Sequence, residues 1–213
     1  MTTNNKIELM APAGNFESLQ AALDNGCDSV YFGVEQLNMR ARASVNFTMD
    51  DLAEIAKRCE AKNVRSYLTL NTIIYDHDLS VVKTLINKAK EANITAVIAS
   101  DQAVIAMARS VGMEVHISTQ LNVTNIETIK FYSLFADTMV LSPELSLRQV
   151  KKITEQIEKE QIKGPNGNLV EIEIFGHGAL CMAVSGKCYL SLHSHNSSAN
   201  RGACKQNCRK KYT

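Results

Sequence analysis

The chain has 213 residues, of which 45 % are apolar and 21 % charged, and its net charge is +1. These values exclude the disordered and fibrous classes and leave a globular chain long enough to bury one sizeable core. No apolar run approaches the ~18 residues that span a bilayer, and MTTNNKIELM lacks an apolar signal core, so a cytoplasmic protein with no membrane partner is expected.

Strand-like and helix-like segments alternate along the chain. Strands are predicted at residues 7–10, 30–32, 66–70, 96–99, 115–118, 139–141 and 170–175. Asn15 is placed to cap a helix whose one face carries Phe16, Leu19 and Leu23, with Gly26 ending it. Thr48 opens a helix with Leu52, Ile55, Ala56 and Cys59 in one stripe. Val82, Leu85, Ile86 and Ala89 mark the next helix, and Val104, Ile105 and Ala108 the one after. Thr124 with Glu127, and Ser146 with Gln149, read as capping boxes. A Gly-Pro-Asn-Gly turn at 164–167 precedes the seventh strand.

Repeated β-α order with no run of strands alone demands a parallel sheet covered by helices. About seven βα units fit a doubly wound sheet or most of a (β/α)8 barrel. The first turn, APAGNF, is not GxGxxG, which disfavours a dinucleotide site. The expected fold is therefore α/β and barrel-like: an incomplete TIM-type barrel over 1–177, followed by a Cys-rich basic segment over 178–213. Nothing after Phe175 resembles an eighth strand, so a further C-terminal region is expected.

A barrel gathers its active residues at the C-terminal ends of its strands. Those ends carry Arg40, Arg42, Asn71, Asp101, His116, Gln120, Asn122, Glu144 and His177. His116, Ser118, Gln120 and Asn122 alternate, so an extended chain would point them to one side. His116, Glu144 and His177 are candidate catalytic groups. Arg40, Arg42, Asn71, Gln120 and Asn122 are candidate substrate-binding groups. Each could instead cap a helix or close a turn.

The last stretch concentrates the chemistry. Cys181, Cys188, Cys204 and Cys208 are separated by six, fifteen and three residues. Residues 1–173 carry 17 Lys and Arg against 22 Asp and Glu, a balance of −5; residues 174–213 carry 6 against none, a balance of +6. Four thiolates suit zinc or an iron–sulfur cluster, and cations around them lower thiol pKa. Two disulfides or four unrelated free thiols are the alternative; a reducing cytosol disfavours the disulfides. Lys205, Arg209, Lys210 and Lys211 are candidate RNA-binding groups, unless the basic end only offsets cluster charge or forms a solvated tail. Cys27 and Cys59 read as packed thiols.

EIFGHGALCMAVSGKC followed by ANRGACKQNCR resembles the signature of the collagenase-like peptidases of unassigned catalytic type. ELMAPAGNFESLQAALDNGCDSVYFG, LNMRARASVNF, HISTQLNVTN and VLSPELSL resemble that family's N-terminal region. The resemblance covers essentially the whole chain. It implies a barrel-type domain in a longer protein and a link to hydroxylation of tRNA wobble uridine, of ribosomal RNA cytidine, or of ubiquinone precursors. It further implies a 4Fe-4S cluster and, in the tRNA enzymes, prephenate as a required metabolite. Position by position, Cys181, Cys188 and Cys204 match cluster ligands; Cys208 matches a fourth in some members, while in others that ligand lies further downstream.

Three functions follow. The first is iron–sulfur-dependent RNA base hydroxylation, specifically prephenate-linked 5-hydroxylation of tRNA wobble uridine, with tRNA or rRNA and a homologous protein as partners. The second is proteolysis, although HExxH and GxSxG are both absent from the sequence. The third is a non-catalytic RNA-binding or scaffold module. Zinc is the alternative to the cluster on the four thiols.

Overall fold

The computed structural model describes residues 7–35, 37–39, 47–178 and 181–211. Its strands are β1 (Met10–Ala13), β2 (Ser29–Phe32), β3 (Arg65–Leu70), β4 (Ala96–Ala99), β5 (Glu114–Ile117), β6 (Thr138–Val140) and β7 (Glu171–Glu173). All neighbouring pairs are parallel, in the order β1 to β7, and no pairing joins β7 to β1 among the described residues. The sheet is therefore an open barrel. The helices α1 (Phe16–Asp24), α2 (Leu52–Glu60), α3 (Leu79–Glu91), α4 (Gln102–Ser110), α5 (Ile126–Tyr132) and α6 (Leu147–Glu160) follow the first six strands in turn.

Parallel register puts paired residues on the same face. The outward row, which includes Val30, Leu68, Val97, Val115 and Met139, packs with Leu19, Ile55, Leu85, Ile105, Ile129 and Ile153 of the helices into one apolar core. Burying these side chains is the main stabilising term, at about 25 cal/mol per Å² of apolar surface. The inward row is different. Tyr31 pairs with Tyr67, Tyr67 with Ala96, Ile98 with His116, His116 with Thr138, and Val140 with Glu173. The barrel interior therefore has an apolar patch of Tyr67, Ala96 and Ile98 beside titratable groups.

Several local expectations shift. The first strand starts at Met10 and runs through Pro12, rather than spanning 7–10. It pairs on one side only, so the missing N–H of Pro12 leaves no ladder bond unmade. The box on α5 is not Thr124 with Glu127: Asn125 is the N-cap, and its side chain accepts from the Thr128 N–H. Asn and Thr can both cap, and the chain enters the helix one residue later. The Ser146–Gln149 box forms as read, as does the cap by Asn15. The seventh strand is shorter than expected, and an antiparallel bridge, Lys163 to Leu169, closes the 164–167 turn before it.

After β7 the chain forms α7 (Leu190–His195) and two 3-10 turns, Ala199–Arg201 and Asn207–Arg209. Polar contacts hold this segment together. The Ser191 hydroxyl accepts from Lys205 N–H at 2.9 Å, Ser197 donates to the Ala203 carbonyl at 2.7 Å, and Asn207 donates to Ser194 at 2.6 Å.

Candidate functional site

The mouth of the barrel is a network of uncharged polar groups. Asn71, two-residue register above Thr69, donates through Nδ2 to Ser118 at 3.2 Å and to Gln120 at 3.3 Å. Its Oδ1 accepts from the Met39 N–H at 3.2 Å, and its carbonyl accepts from Ser100 at 2.9 Å. Ser118 also donates to Gln120. The sequence alternation holds for His116 and Ser118 but stops there, because β5 ends at Ile117 and residues 119–121 coil into a 3-10 turn. Gln120 reaches Ser118 and Asn71 from that turn. Asn122 adopts a left-handed conformation, φ 53°, which Asn tolerates better than most residues.

The Cys-rich segment docks on this rim at two places. At the exit of β5, Asn122 donates to the Ser185 carbonyl at 3.1 Å, and Gly186 lies against Gln120 so closely that a Cβ there would sit 2.9 Å from Gln120 Cβ. At the exit of β3, the Ile73 N–H donates to the Asn200 carbonyl at 3.1 Å, and Arg201 donates to the Ile73 carbonyl at 2.9 Å. Arg201 also pairs with Asp78 and lies 4.3 Å from the Tyr75 ring centroid. Its guanidinium holds the Asp78 carboxyl below the usual carboxylate range.

Cys181, Cys188, Cys204 and Cys208 are all free thiols; three are exposed and Cys188 is half-buried. Cys204 Sγ accepts from the Gln206 N–H at 3.4 Å. Among the described residues, no three His, Cys, Asp or Glu side chains come together as a metal-holding group. The donor chemistry nevertheless fits a sulfur-ligated group: the four thiols are in no disulfide, and six cations with no acidic residue in 174–213 would offset the negative charge of such a group. Cys27 and Cys59 are buried, and burial pushes both thiols up, Cys59 to about 11. They are packed and inert, as the sequence indicated.

The three candidate catalytic groups do not come together. His116 is 3 % exposed and faces the barrel interior below the mouth, since its position is set by the inward row rather than by the strand exit. Its ring centroid lies 4.5 Å from that of Tyr67, and Nε2 contacts Glu114 Oε1 at 3.1 Å. Glu144 and His177 are exposed, and neither makes a hydrogen bond or ion pair with another described residue. Asp101 caps α4 and accepts from the Ile74 N–H at 3.2 Å, which is a structural duty. Arg40 and Arg42 lie outside the described residues. Lys205, Arg209, Lys210 and Lys211 are exposed along the end of the segment.

Sequence reasoning missed the charged interior around His116. Tyr67 donates to Glu8 at 2.7 Å, and Glu8 pairs with Arg65. The His116 contact, helped by Arg65, holds Glu114 below its ordinary value, whereas burial raises Glu173 and Tyr67. His116 Nδ1 and Glu173 Oε2 are buried with no hydrogen-bond partner among the described residues. The signal was present: in EVHI and EIEIF the charged positions share the inward period of His116.

The sequence profile described as peptidase family U32 matches residues 14–213. The chain belongs to that family. A protein named collagenase from Porphyromonas gingivalis is 58 % identical to this U32 chain over 209 residues, covering 98 % of it and 50 % of the relative. A tRNA hydroxylation protein P1 from Bacillus subtilis is 33 % identical over 210 residues, covering 97 % and 47 %. The U32 chain thus spans about half the length of the curated relatives it matches. The solved U32 peptidase Mk0906 has the same fold, with a TM-score of 0.60 at 13 % identity over 85 % of this chain and 97 % of that one. Among the described residues, no helix is long and apolar enough to cross a membrane.

Proposed function

We propose that this chain is the barrel-bearing part of an RNA base hydroxylation protein. One observation carries the reading: an acid-free segment with four free thiols and six cations is docked on the C-terminal rim of an open barrel. In this reading Cys181, Cys188 and Cys204 hold a 4Fe-4S cluster, with Cys208 or a residue beyond Thr213 as fourth ligand. The cluster supplies electrons when bound. The exposed cations Lys205, Arg209, Lys210 and Lys211 hold the phosphates of tRNA or rRNA in the cytoplasm, giving affinity without sequence choice.

The substrate is taken to be tRNA wobble uridine, hydroxylated at C5, with prephenate as the linked metabolite and a homologous protein as partner. Arg40 and Arg42 offer the fork geometry that a dicarboxylate needs. Asn71, Gln120 and Asn122 line the mouth as uncharged hydrogen-bonding groups. The relative named for tRNA hydroxylation supports the reaction class.

A second reading, proteolysis, is favoured by the 58 % identical relative named collagenase. The geometry offers it little. Among the described residues, no cysteine Sγ is hydrogen-bonded to a histidine, and the Ser194 hydroxyl beside His195 donates to the Leu190 carbonyl within its own helix.

The deciding experiment uses the full-length protein purified without oxygen. Roughly four irons per chain with matching sulfide, and salt-sensitive binding of unmodified tRNA, are expected. A colourless protein with one zinc, or gelatin turnover without tRNA binding, would overturn the reading.

A further inference from the structure

The basic segment is not a uniform electrostatic strip. Of its cations, Arg201 is 26 % exposed in its side chain and is already committed at the barrel rim. Nη1 donates to the Ile73 carbonyl and to Asp78 Oδ2, Nη2 reaches Asp78 Oδ1 at 3.4 Å, and the guanidinium lies over Tyr75. Asp78 is itself fixed, because its Oδ2 accepts from the Tyr75 N–H at 2.8 Å. A planar donor fork, a carboxylate and an aromatic face are thus assembled across 123 residues of sequence. The neighbouring Asn200 carbonyl accepts from the Ile73 N–H, so residues 200 and 201 grip both polar groups of one backbone residue.

The loop bearing Cys181 and Cys188 has a separate anchor, Asn122 and Gly186 at the exit of β5. The segment therefore has two arms, each with its own fastening, and each arm carries two of the four thiols.

We propose that Arg201 is a positioning residue: with Asp78, Ile73 and Tyr75 it forms a latch that holds the arm bearing Cys204 and Cys208 on the exit of β3, so that this thiol pair is presented to the group bound by Cys181 and Cys188. The inference rests on the sulfur-ligated reading for its purpose but not for its existence. Arg201 then acts on cluster retention rather than on phosphate, unlike Lys205 and Lys210 on the same arm. Lysine cannot replace it, because a point ammonium cannot serve Asp78 and the Ile73 carbonyl in one plane while stacking on Tyr75.

The test uses the full-length protein and the variants Arg201→Ala, Arg201→Lys, Asp78→Asn and Asn122→Ala. In iron-free protein, amide exchange is followed by mass spectrometry in peptides covering 197–205 and 183–189. Arg201→Ala and Asp78→Asn should speed exchange about tenfold in the first peptide and leave the second unchanged, the factor corresponding to about 1.4 kcal/mol. Arg201→Lys should fall between parent and Ala, and Asn122→Ala should show the reverse pattern. After anaerobic reconstitution with ferrous iron and sulfide, the latch variants should lose their visible absorbance several-fold faster than the parent, with tRNA affinity in the iron-free state unchanged. Exchange at the parental rate in the latch variants, or an equal rise in both peptides, overturns the latch. If no protein, parent included, retains iron, the cluster reading falls while the exchange data still decide whether the latch exists.

Discussion

Asn122 donates through Nδ2 to the carbonyl of Ser185 at 3.1 Å, joining the exit of β5 to a loop 63 residues later in the chain. The same nitrogen donates to the Gln120 carbonyl at 2.8 Å, so one amide both closes the 119–122 turn and holds the Cys-bearing loop. The Asn side chain is suited to this task because the backbone there is left-handed.

Gly186 completes that contact and cannot be replaced cheaply. Its φ is +70°, and an added Cβ would lie 2.9 Å from Gln120 Cβ and 3.1 Å from its carbonyl oxygen. Gly186→Ala should lower stability by about 1–2 kcal/mol from the backbone alone, with the close contact adding to it. Urea denaturation measures this, and an unchanged midpoint would show that the loop is not seated as described.

The six cysteines should separate into two classes. In iron-free native protein, Cys181, Cys188, Cys204 and Cys208 should react with Ellman's reagent within minutes. Cys27 and Cys59 should react only after unfolding, because they are buried and their thiols are pushed up. Six fast thiols would contradict the packing of α2 against β3.

Glu114 and Glu173 should show opposite pH dependence. Glu114 is lowered by its His116 contact, so its stabilising contribution is present above the ordinary Glu value and is lost as pH falls through the lowered folded value. Glu114→Gln should therefore cost on the order of 1–2 kcal/mol at neutral pH, and progressively less in acid. Glu173 is raised by burial, so the fold holds its proton where the unfolded chain does not, and stability falls as pH rises from the ordinary Glu value through the raised one. Glu173→Gln should remove that fall. Melting temperatures of both variants between pH 4 and 8 give the comparison, and parallel curves would refute the assignment.

Replacing Lys205, Arg209, Lys210 and Lys211 with Gln should flatten the salt dependence of tRNA binding by about two to three units, since each phosphate contact on a single strand contributes about −0.7. Iron content should be unaffected, because none of these side chains is a candidate ligand. Filter binding at several salt concentrations reads the slope. If proteolysis is the activity, peptide turnover should be largely intact in this variant and the parent should show no such slope.

Arg40→Ala with Arg42→Ala should weaken prephenate binding at least tenfold, equivalent to about 1.4 kcal/mol. Isothermal titration of the full-length double variant is the measurement. Equal affinities would remove these arginines from the site.

The sequence by itself determined the βα order, the caps by Asn15 and Ser146 and the outward apolar stripe, because each is written in local pattern. Ser146 and Gln149 form their box as read, and Leu52, Ile55, Ala56 and Cys59 are all buried on α2. It also isolated the four thiols in an acid-free segment, since composition requires no geometry. Only the tertiary structure decided which polar residues meet. His116 was read at the strand exit but lies inside the barrel, because parallel register aligns it with Ile98 and Thr138. Arg201 was only one of the six cations counted after residue 173, with no role assigned, until the fold brought it to Asp78 and Tyr75. Glu173 shares the inward period with His116, but its raised carboxyl comes from burial among strands far away in sequence. Periodicity reports which side of an element a residue occupies; what stands opposite it is fixed by long-range pairing, which no local pattern encodes.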